Sequence, residues 1–389
     1  MPSSVPKITI FSLPPRTLAY YDWLITGLEL LKESGAIEIE YSGHWWERLL
    51  RCHPKAMRIA HRLSPAFVDF CSPVDAICIT GRFEHKGAVM NFAVDITDSP
   101  FVFATALLES VDLYFKYQCP KTFEPAGFPI NKHVRAPYHP DVFTFQNKIR
   151  PGMLGRPLGH GLNLRRNLRV LRQWEALAQT PKTCSIFASF GTIDHPAPRT
   201  TRTPLPAQYN YFSETTLLAR YPGKIHHPNQ KRARMVRILR HMNKPDIDAR
   251  LWRTKDPSLY APPLSETEYA RHCAISSTVV NISGLRRSIP YRLCDTLLTG
   301  GMMATDTLAI RWHEPFEPFE VREIGDMGYE LDEDVNWPGI TSALGEIYAT
   351  TRTTPHDARA RADAYERKWS PRAFARYFVS QCEQSLAAS

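Results

Sequence analysis

The amino-acid sequence predicts an α/β protein made of two doubly wound domains with mostly parallel sheets. Three observations support this fold class. The chain has 389 residues, of which 43% are hydrophobic, and this is enough to fill two cores. In the first half, short apolar runs typical of strands alternate with stretches of helical spacing. The second half repeats this alternation less regularly, after a break near residue 180.

Local patterns define the elements of the first half. An apolar run at 7–12 predicts a strand, and the helical spacing of large apolar residues at 18–31 predicts the helix after it. Alternating Ile and Glu predict a second strand at 37–41. We predict further strands at 74–80, 88–96 and 111–117, and helices at 44–63 and 101–110. This order is that of a doubly wound domain.

A connection at 119–162, rich in proline and glycine, separates the two halves of the pattern. A helix at 164–178 and an apolar strand at 184–190 follow, so we place the domain boundary close to 180. A polar, proline-rich insertion covers 194–208. Beyond it we predict strands at 247–252, 278–282, 302–305 and 319–324, and helices at 214–221, 231–242, 265–272, 337–349, 355–369 and 372–386.

The stretch 278–306 has the order strand, basic turn, helix, glycine pair, strand. Arg286 and Arg287 lie in the turn, and Ser288 is placed to cap the helix. Unpaired N–H groups at a helix start, with arginines beside them, favour an anion such as a diphosphate. Asp295, on the polar face of this helix, suits the hydroxyls of a ribose. The same residues fit equally well an ordinary βαβ helix with a solvated polar face.

Basic residues are concentrated in one region of a chain whose net charge is +9. Between residues 148 and 255, 21 Lys and Arg stand against 5 Asp and Glu, a local excess of +16. Such a region favours an anionic membrane surface, a phosphorylated ligand or nucleic acid. Because no nucleic-acid motif is present, we expect no nucleic-acid partner and instead a peripheral contact with a membrane or a lipid diphosphate. A merely basic surface is the alternative.

Composition also suggests the compartment. The first residues do not resemble a signal peptide, and no apolar run reaches the ~20 residues of a membrane span. Eight cysteines are scattered without paired spacing, several of them inside apolar runs. We interpret them as reduced core residues and expect a cytoplasmic protein, peripheral at a membrane, without a zinc site.

The run from Asp295 to Asp306 has an acidic residue five positions before Gly300 and an apolar strand after Gly301. This pattern resembles the nucleotide-sugar segment of GT-B glycosyltransferases. The sequence CSIFASFGT at 184–192 resembles the first strand and loop of their C-terminal domain. The resemblance implies two Rossmann-like domains facing across a cleft. The two are an acceptor domain at 1–180 and a donor domain at 181–368. A terminal helix at 369–389 would cross back to the first domain.

The resemblance also implies roles for residues. Asp295 would hold the ribose, and the Gly300–Gly301 loop would pass close to the donor. The expected donor-binding residues are Ser189, Gly191, Thr192, Arg286, Arg287, Ser288, Tyr291, Arg292, Asp295, Gly300 and Gly301. The arginines among them, with Lys231 and Arg232 as weaker candidates, would stabilise a diphosphate leaving group without a metal. Neither a metal nor any cofactor other than the nucleotide-sugar substrate is therefore expected.

One departure from the family pattern concerns the stereochemistry of transfer. Retaining members often carry an acid at the position of Arg287. The run from Arg286 to Arg292 instead looks like exostosin-type segments, in which arginines and a serine precede the helix. Whether the configuration of the sugar is retained or inverted therefore stays open.

We expect the acceptor to be a glycan or a lipid-linked saccharide. Transfer with inversion would need a general base near the acceptor hydroxyl group. The loop after the strand at 74–80 offers Glu84 and His85. The loop after the strand at 88–96 offers Asp95 and Asp98. All four are also common surface or turn residues.

Other functions fit the same sequence. The triplets Asp-Ile-Asp at 246–248 and Asp-Glu-Asp at 332–334 have the letters of the metal-binding motif in GT-A transferases. Activity that survives EDTA would argue against that class. The basic cleft would also suit a non-catalytic protein that binds nucleotides or phosphorylated glycans. An epimerase on the same fold would turn over without an acceptor.

Overall fold

The computed structural model describes residues 5–13, 20–42, 78–192, 219–283, 287–353 and 357–388. It shows a mixed α/β protein with two larger sheets, in which parallel strands are flanked by helices. Some predicted features lie outside the described residues. These include Arg286, the helix at 44–63, the insertion at 194–208, the first four residues of the strand at 74–80 and the first five of the helix at 214–221.

The strands in chain order are β1 (Lys7–Ser12), β2 (Glu38–Tyr41), β3 (Cys78–His85), β4 (Ala88–Asp95), β5 (Leu113–Lys116), β6 (Cys119–Pro120), β7 (Phe128–Pro129), β8 (Arg135–Ala136), β9 (Ile149–Pro151), β10 (Cys184–Gly191), β11 (Ile247–Trp252), β12 (Ser276–Val280), β13 (Met302–Thr305), β14 (Ile310–Arg311) and β15 (Val321–Glu323). The helices are α1 (Asp22–Glu33), α2 (Thr105–Ser110), α3 (Pro140–Thr144), α4 (Leu164–Leu177), α5 (Pro228–His241), α6 (Glu266–Ile275), α7 (Arg292–Leu298), α8 (Trp337–Thr353), α9 (Ala358–Ala364) and α10 (Pro371–Ala388).

The first sheet has the strand order β2-β1-β3-β4-β5-β9. Its strands run parallel except for β3, which pairs antiparallel with both β1 and β4. The predicted strand at 74–80 therefore ends too early, because β3 continues to His85. A tight hairpin then leads into β4 through Lys86 and Gly87, with φ of 52° and 83°. The sheet is mostly parallel, as the sequence predicts, with one reversed strand.

The second sheet has the order β11-β10-β12-β13-β15 and is parallel throughout. Strand β10 comes first along the chain and lies between β11 and β12. The next strand, β11, is added on one side of β10 and the later strands are added on the other side, so the strand order reverses at β10. Helices α5 and α8 pack on one face, against Ala188 and Phe190. The other face meets α6 through Phe187. In doubly wound sheets, ligands bind at the carboxyl ends of the strands beside such a reversal.

The largest hydrophobic cluster crosses the boundary that we placed at 180. It joins Ile8 and Phe115 around the first sheet to Leu293 and Leu297 of α7. Asp295 on the same helix is fully buried, as are its neighbours Thr296 and Thr299. The alternative interpretation of this helix as one with a solvated polar face is therefore wrong.

Helix α10, although last in the chain, packs on the first half. The ring of Phe378 lies 5.0 Å from that of Phe92 and 4.7 Å from that of Phe115, measured between centroids. Gly27 in α1 makes the close approach of α1 and α10 possible. A Cβ atom at this position would lie 1.9 Å from the backbone oxygen of Pro371.

We expect the Gly27→Ala variant to be less stable than the wild type by about 1–3 kcal/mol, because the added methyl group forces α1 and α10 apart. The free energy of unfolding in urea measures this loss. Gly345→Ala in α8 is the matched control, since a Cβ atom there meets no atom within 4 Å. That variant should be neutral or stabilised by up to about 1 kcal/mol through helix propensity. Equal effects at both glycines would contradict the packing argument.

Candidate functional site

A cleft of about 930 Å³ opens at the carboxyl ends of β10 and β11, beside the first turns of α6 and α7. Both halves of the chain contribute to its wall. The lining residues are Tyr20, Arg156 and Pro157 from the first half, and Ser189, Trp252, Arg253, Tyr260, Pro263, Leu264, Glu266, Tyr269, Tyr291, Arg292 and Asp295 from the second. Its volume is that of a site for a nucleotide-sized ligand.

The side chain of Arg156 connects the two halves within this wall. Its Nη1 atom donates to Asp295 Oδ1 at 2.6 Å, and its Nη2 atom donates to Glu266 Oε1. The guanidinium group stacks over the ring of Trp174 in α4, 3.6 Å from the centroid. Arg156 is 5% exposed and Asp295 is fully buried. A buried ion pair therefore fixes the first half against α7.

Asp295 is held in an unusual electrostatic state. Burial raises the pKa of its carboxyl group to about 6, although the charges of Arg156 and Arg292 act in the opposite direction. The second carboxylate oxygen, Oδ2, has no hydrogen-bond partner among the described residues. A buried acceptor without a donor is costly, and this oxygen keeps one hydrogen-bonding position unfilled.

Aromatic side chains form the outer part of the cleft. Tyr260 and Tyr291 are 53% and 40% exposed, which is high for large aromatic residues. Trp252 ends β11, and the guanidinium group of Arg253 lies 4.6 Å from its ring centroid. Arg253 has a φ of 59°, a conformation that few non-glycine residues adopt. Rings presented in this way can stack on a nucleobase or pack on a sugar.

Four of the predicted donor-binding residues line the cleft, namely Ser189, Tyr291, Arg292 and Asp295. Gly191 and Thr192 lie directly behind it. A Cβ atom on Gly191 would come within 2.4 Å of the Trp252 ring. Thr192 donates from its hydroxyl group to the Arg253 carbonyl oxygen. These two residues support the wall from behind.

Arg287 and Ser288 lie away from the lining, and Arg286 is outside the described residues. The guanidinium group of Arg287 donates to Thr307 O at 2.8 Å and to Asp326 Oδ1 at 2.7 Å, on the side of β13. Ser288 does not cap the helix, because α7 begins at Arg292 after Tyr291 and has no side-chain cap. The predicted cap is therefore wrong.

Gln118 explains the late start of α7. Its amide group accepts from Ile289 N at 3.0 Å and donates to Ile289 O at 2.9 Å. These bonds use backbone groups that a helix starting earlier would need. Pro290 also disfavours helical backbone at the residue before it.

Gly300 and Gly301 end α7, as predicted, but they lie at the opposite edge of the sheet. Gly300 has a φ of 72°, and its N–H group donates to Leu297 O at 3.0 Å. A Cβ atom on Gly301 would lie 3.6 Å from Ser276 O, at the amino end of β12. The expectation that this loop passes close to the donor needs correction, because the cleft is at the carboxyl ends of the strands.

The expected base residues Glu84 and His85 lie in β3 rather than in a loop. Glu84 pairs with Lys7 at the start of β1, and His85 Nδ1 lies 3.3 Å from Glu383 Oε1 of α10. Because β3 is antiparallel, its last residues lie at the amino edge of the sheet. Both residues are therefore misplaced for chemistry at the carboxyl edge.

Asp95 lies at the carboxyl edge but is enclosed. Its carboxylate accepts from Tyr114 Oη at 2.7 Å, Lys116 Nζ at 2.8 Å and Thr97 N at 2.8 Å. Asp95 and Lys116 are both fully buried. This carboxylate forms a structural ion pair, so its assignment as a base needs correction.

Asp98, three residues further on, is closer to the cleft. Gln118 donates to its Oδ1 atom at 3.3 Å. Burial raises the pKa of Tyr20, a lining residue, to about 12, and the negative charge of Asp98 contributes to this shift. Of the carboxylates that the sequence offered as a base, this one lies near the cleft wall.

The sequence interpretation missed Arg156 and, of the outer wall, Trp252, Arg253 and Tyr260. Arg156 belongs to the proline-rich connection, where local patterns are uninformative. A signal was present at Trp252-Arg253, an aromatic and basic pair directly after a strand. Residues in this position of a parallel strand lie at the ligand-binding edge.

Among the described residues, no group of three or more His, Cys, Asp or Glu side chains is arranged to hold a metal ion. Asp248 of one triplet contacts Arg250 and His272, and Asp332 of the other contacts Lys231 and Arg234. No helix among the described residues has the length and apolar character needed to cross a bilayer.

The fold and the cleft define a mixed α/β protein with a ligand-sized cleft at the carboxyl edge of a parallel sheet. No protein-family model matches the chain, and no curated protein matches it either. The chemistry of the cleft is therefore the guide to function.

Proposed function

We propose that the protein is a glycosyltransferase of the GT-B type, which moves a sugar from a nucleoside-diphosphate sugar to a glycan or a lipid-linked saccharide in the cytoplasm. The observation that carries this proposal is the cleft shared by the two halves. It combines three arginines, an aromatic wall and a buried carboxylate at the carboxyl edge of a parallel sheet.

Each part of the donor finds matching chemistry in this cleft. Arg253 and Arg292 offer charge-assisted hydrogen bonds to a diphosphate. The rings of Trp252 and Tyr260 suit a nucleobase or a sugar face. The unpartnered oxygen of Asp295 suits a ribose hydroxyl group. Four residues that the family resemblance singled out are among those that line the cleft.

The arginines also supply the main requirement of the reaction. As the bond between the sugar and the diphosphate breaks, negative charge develops on the leaving phosphate. Fixed positive groups in a partly enclosed cleft stabilise that charge without having to reorganise. Arg156, held by two carboxylates, is the more rigid of these cations, and Arg292 at the start of α7 is the less encumbered.

An acceptor hydroxyl group needs a base if the configuration is inverted. Asp98 replaces Glu84, His85 and Asp95 in this role. It follows β4 at the carboxyl edge of the first sheet, and its neighbours Gln118 and Tyr20 reach the second half and the cleft. An acceptor bound by the first half would thus meet a carboxylate across from the donor.

A second candidate function is binding of nucleotides or phosphorylated glycans without catalysis. The same arginines and rings would serve it equally well. Release of a nucleoside diphosphate that depends on an added acceptor separates transfer from mere binding, and turnover of the donor without an acceptor would instead indicate an epimerase.

We expect the Arg292→Ala variant to bind nucleoside diphosphates about 10–100-fold more weakly than the wild type, because a charge-assisted hydrogen bond is lost. Isothermal titration calorimetry with UDP, GDP, ADP and CDP measures these affinities and shows which nucleobase the wild type prefers.

Arg287→Ala is the matched control for this titration. It removes a nearby arginine that points to Asp326 and Thr307 rather than into the cleft. Its affinity should stay within about twofold of the wild type, well below the tenfold that 1.4 kcal/mol represents. Unchanged binding in the Arg292→Ala variant, or an equal loss in both, would reject this cleft as the donor site.

A further inference from the structure

The exposed face of α4 carries a row of four arginines. These are Arg165, Arg166, Arg169 and Arg172, and each side chain is exposed. At about 100° per residue, they fall within an arc of about 120° on the helix surface. The opposite side buries Asn167, Leu171 and Trp174 against the body of the protein. The helix is thus strongly amphipathic, with arginine as the dominant residue of its outer face.

The charge of this row is largely uncompensated, although Glu175 attracts Arg172 at its edge. Within the described part of the chain, none of the four arginine side chains forms an ion pair. The acidic residue of the helix, Glu175, is half-buried at the edge of the row. Burial lowers the pKa of the nearby His160, and the charges of Arg166 and Arg169 lower it further. The positive potential therefore extends beyond the helix to the loop before it.

From these observations we infer that the arginine face of α4 docks on an anionic phospholipid surface. Four guanidinium groups on one rigid face can contact phosphate headgroups together. Each basic residue near an anionic leaflet adds to the attraction, which decreases within a Debye length. Among the described residues no helix crosses a membrane, so the contact would be peripheral.

The position of α4 links this surface to the cleft. The inner face of the helix presents Trp174, whose ring stacks on Arg156 in the cleft wall. Docking through the outer face would bring the cleft to the membrane, where an acceptor carried on a lipid would be presented. This link rests on the proposed function, whereas the docking itself does not.

Co-sedimentation of the full chain with vesicles tests the docking. Phosphatidylcholine vesicles that contain phosphatidylglycerol should bind the wild type, and vesicles of phosphatidylcholine alone should not. Replacing all four arginines of the row by glutamine should weaken binding at least about 100-fold, and high salt should have a similar effect. Replacing them by lysine should keep most of the affinity, which separates loss of charge from loss of folding.

A matched control removes the same charge elsewhere. It replaces by glutamine four exposed arginines outside α4, namely Arg271, Arg359, Arg367 and Arg376. This variant should bind vesicles nearly as the wild type does. Equal loss in the control, wild-type binding by the glutamine variant of α4, or no binding of the wild type would each overturn the inference. So would tighter binding of an RNA or DNA oligonucleotide through the same arginines. Because no nucleotide is added, a failure here leaves the proposed sugar transfer untouched.

Discussion

The Arg156→Ala variant is expected to be less stable than the wild type by about 3–5 kcal/mol at pH 8, the cost of leaving a buried charge without its partner. Asp295 is fully buried, and Arg156 Nη1 lies 2.6 Å from its Oδ1 atom. Removing the arginine also removes the contact with Trp174 and the link to Glu266. Chemical denaturation measures the free energy of unfolding.

The pH dependence of this loss identifies its cause. Burial already raises the pKa of Asp295 to about 6, and loss of Arg156 raises it further. At pH 5 the carboxyl group of the variant is protonated, so the difference in stability should shrink. Removal of Arg156 should also cost less unfolding free energy in a protein that already carries Asp295→Asn than in the wild type.

A surface ion pair provides the control. Arg322 and Glu346 lie 2.5 Å apart, but their side chains are 35% and 61% exposed. The Arg322→Ala variant should therefore lose no more than about 1 kcal/mol. The idea that a buried ion pair joins the two halves would be refuted by one result. In that result the Arg156→Ala variant loses only about 1 kcal/mol of unfolding free energy, as the control does, and the loss is the same at pH 5 and pH 8.

The second large effect concerns Asp22 in the first turn of α1. Its side chain is fully buried, Oδ2 accepts from Gly159 N at 2.7 Å, and Oδ1 has no partner among the described residues. Burial raises the pKa of this carboxyl group to about 7, against the effect of backbone N–H groups of the 159–161 loop. That loop follows Arg156 and Pro157, which line the cleft.

The sign of the pH effect follows from proton binding. Between about pH 4 and pH 7 the folded state keeps a proton on Asp22 that the unfolded chain has lost. The contribution of Asp22 to stability therefore falls as pH rises through this window and is constant above it. An asparagine at this position does not titrate. The unfolding free energy of the Asp22→Asn variant minus that of the wild type should thus rise by on the order of 4 kcal/mol from pH 4 to pH 8.

Urea unfolding at a series of pH values tests this expectation. Asp112→Asn is the control, because Asp112 also accepts a backbone N–H group, from Asn91 at 2.7 Å, but is exposed. The difference in unfolding free energy between the Asp112→Asn variant and the wild type should vary by less than about 1 kcal/mol over the same pH range. A flat difference for Asp22→Asn would show that Asp22 stays ionised in the folded protein.

Local patterns in the sequence predicted much of the α/β fold. Strand β1 and helix α4 agree closely with the predicted 7–12 and 164–178, because each has a clear apolar period between clear end signals. The glycine pair after Leu298 marked the end of α7 correctly. These features depend on neighbours along the chain, which a single sequence displays.

Features that depend on distant partners were not predictable in the same way. Arg156 and Asp295 are 139 residues apart, and nothing local in the proline-rich connection indicates a buried arginine. From the sequence, Asp95 is typical of a turn residue. In the structure it forms an ion pair with Lys116, which lies 21 residues later in the chain. The direction of β3 depends on a short hairpin at Lys86-Gly87, which lacks the usual asparagine or aspartate. Sites built from such pairs need the tertiary structure.

The packing of α10 on the first half has a consequence for synthesis on the ribosome. Rings around β4 and β5 are covered by Phe374 and Phe378, which emerge only after the whole second half has been translated. Until then, the nascent first half exposes an apolar surface that has no covering helix. Chaperones that bind exposed hydrophobic chain should therefore engage this protein late in translation, and its two halves should become protease-resistant together rather than in sequence.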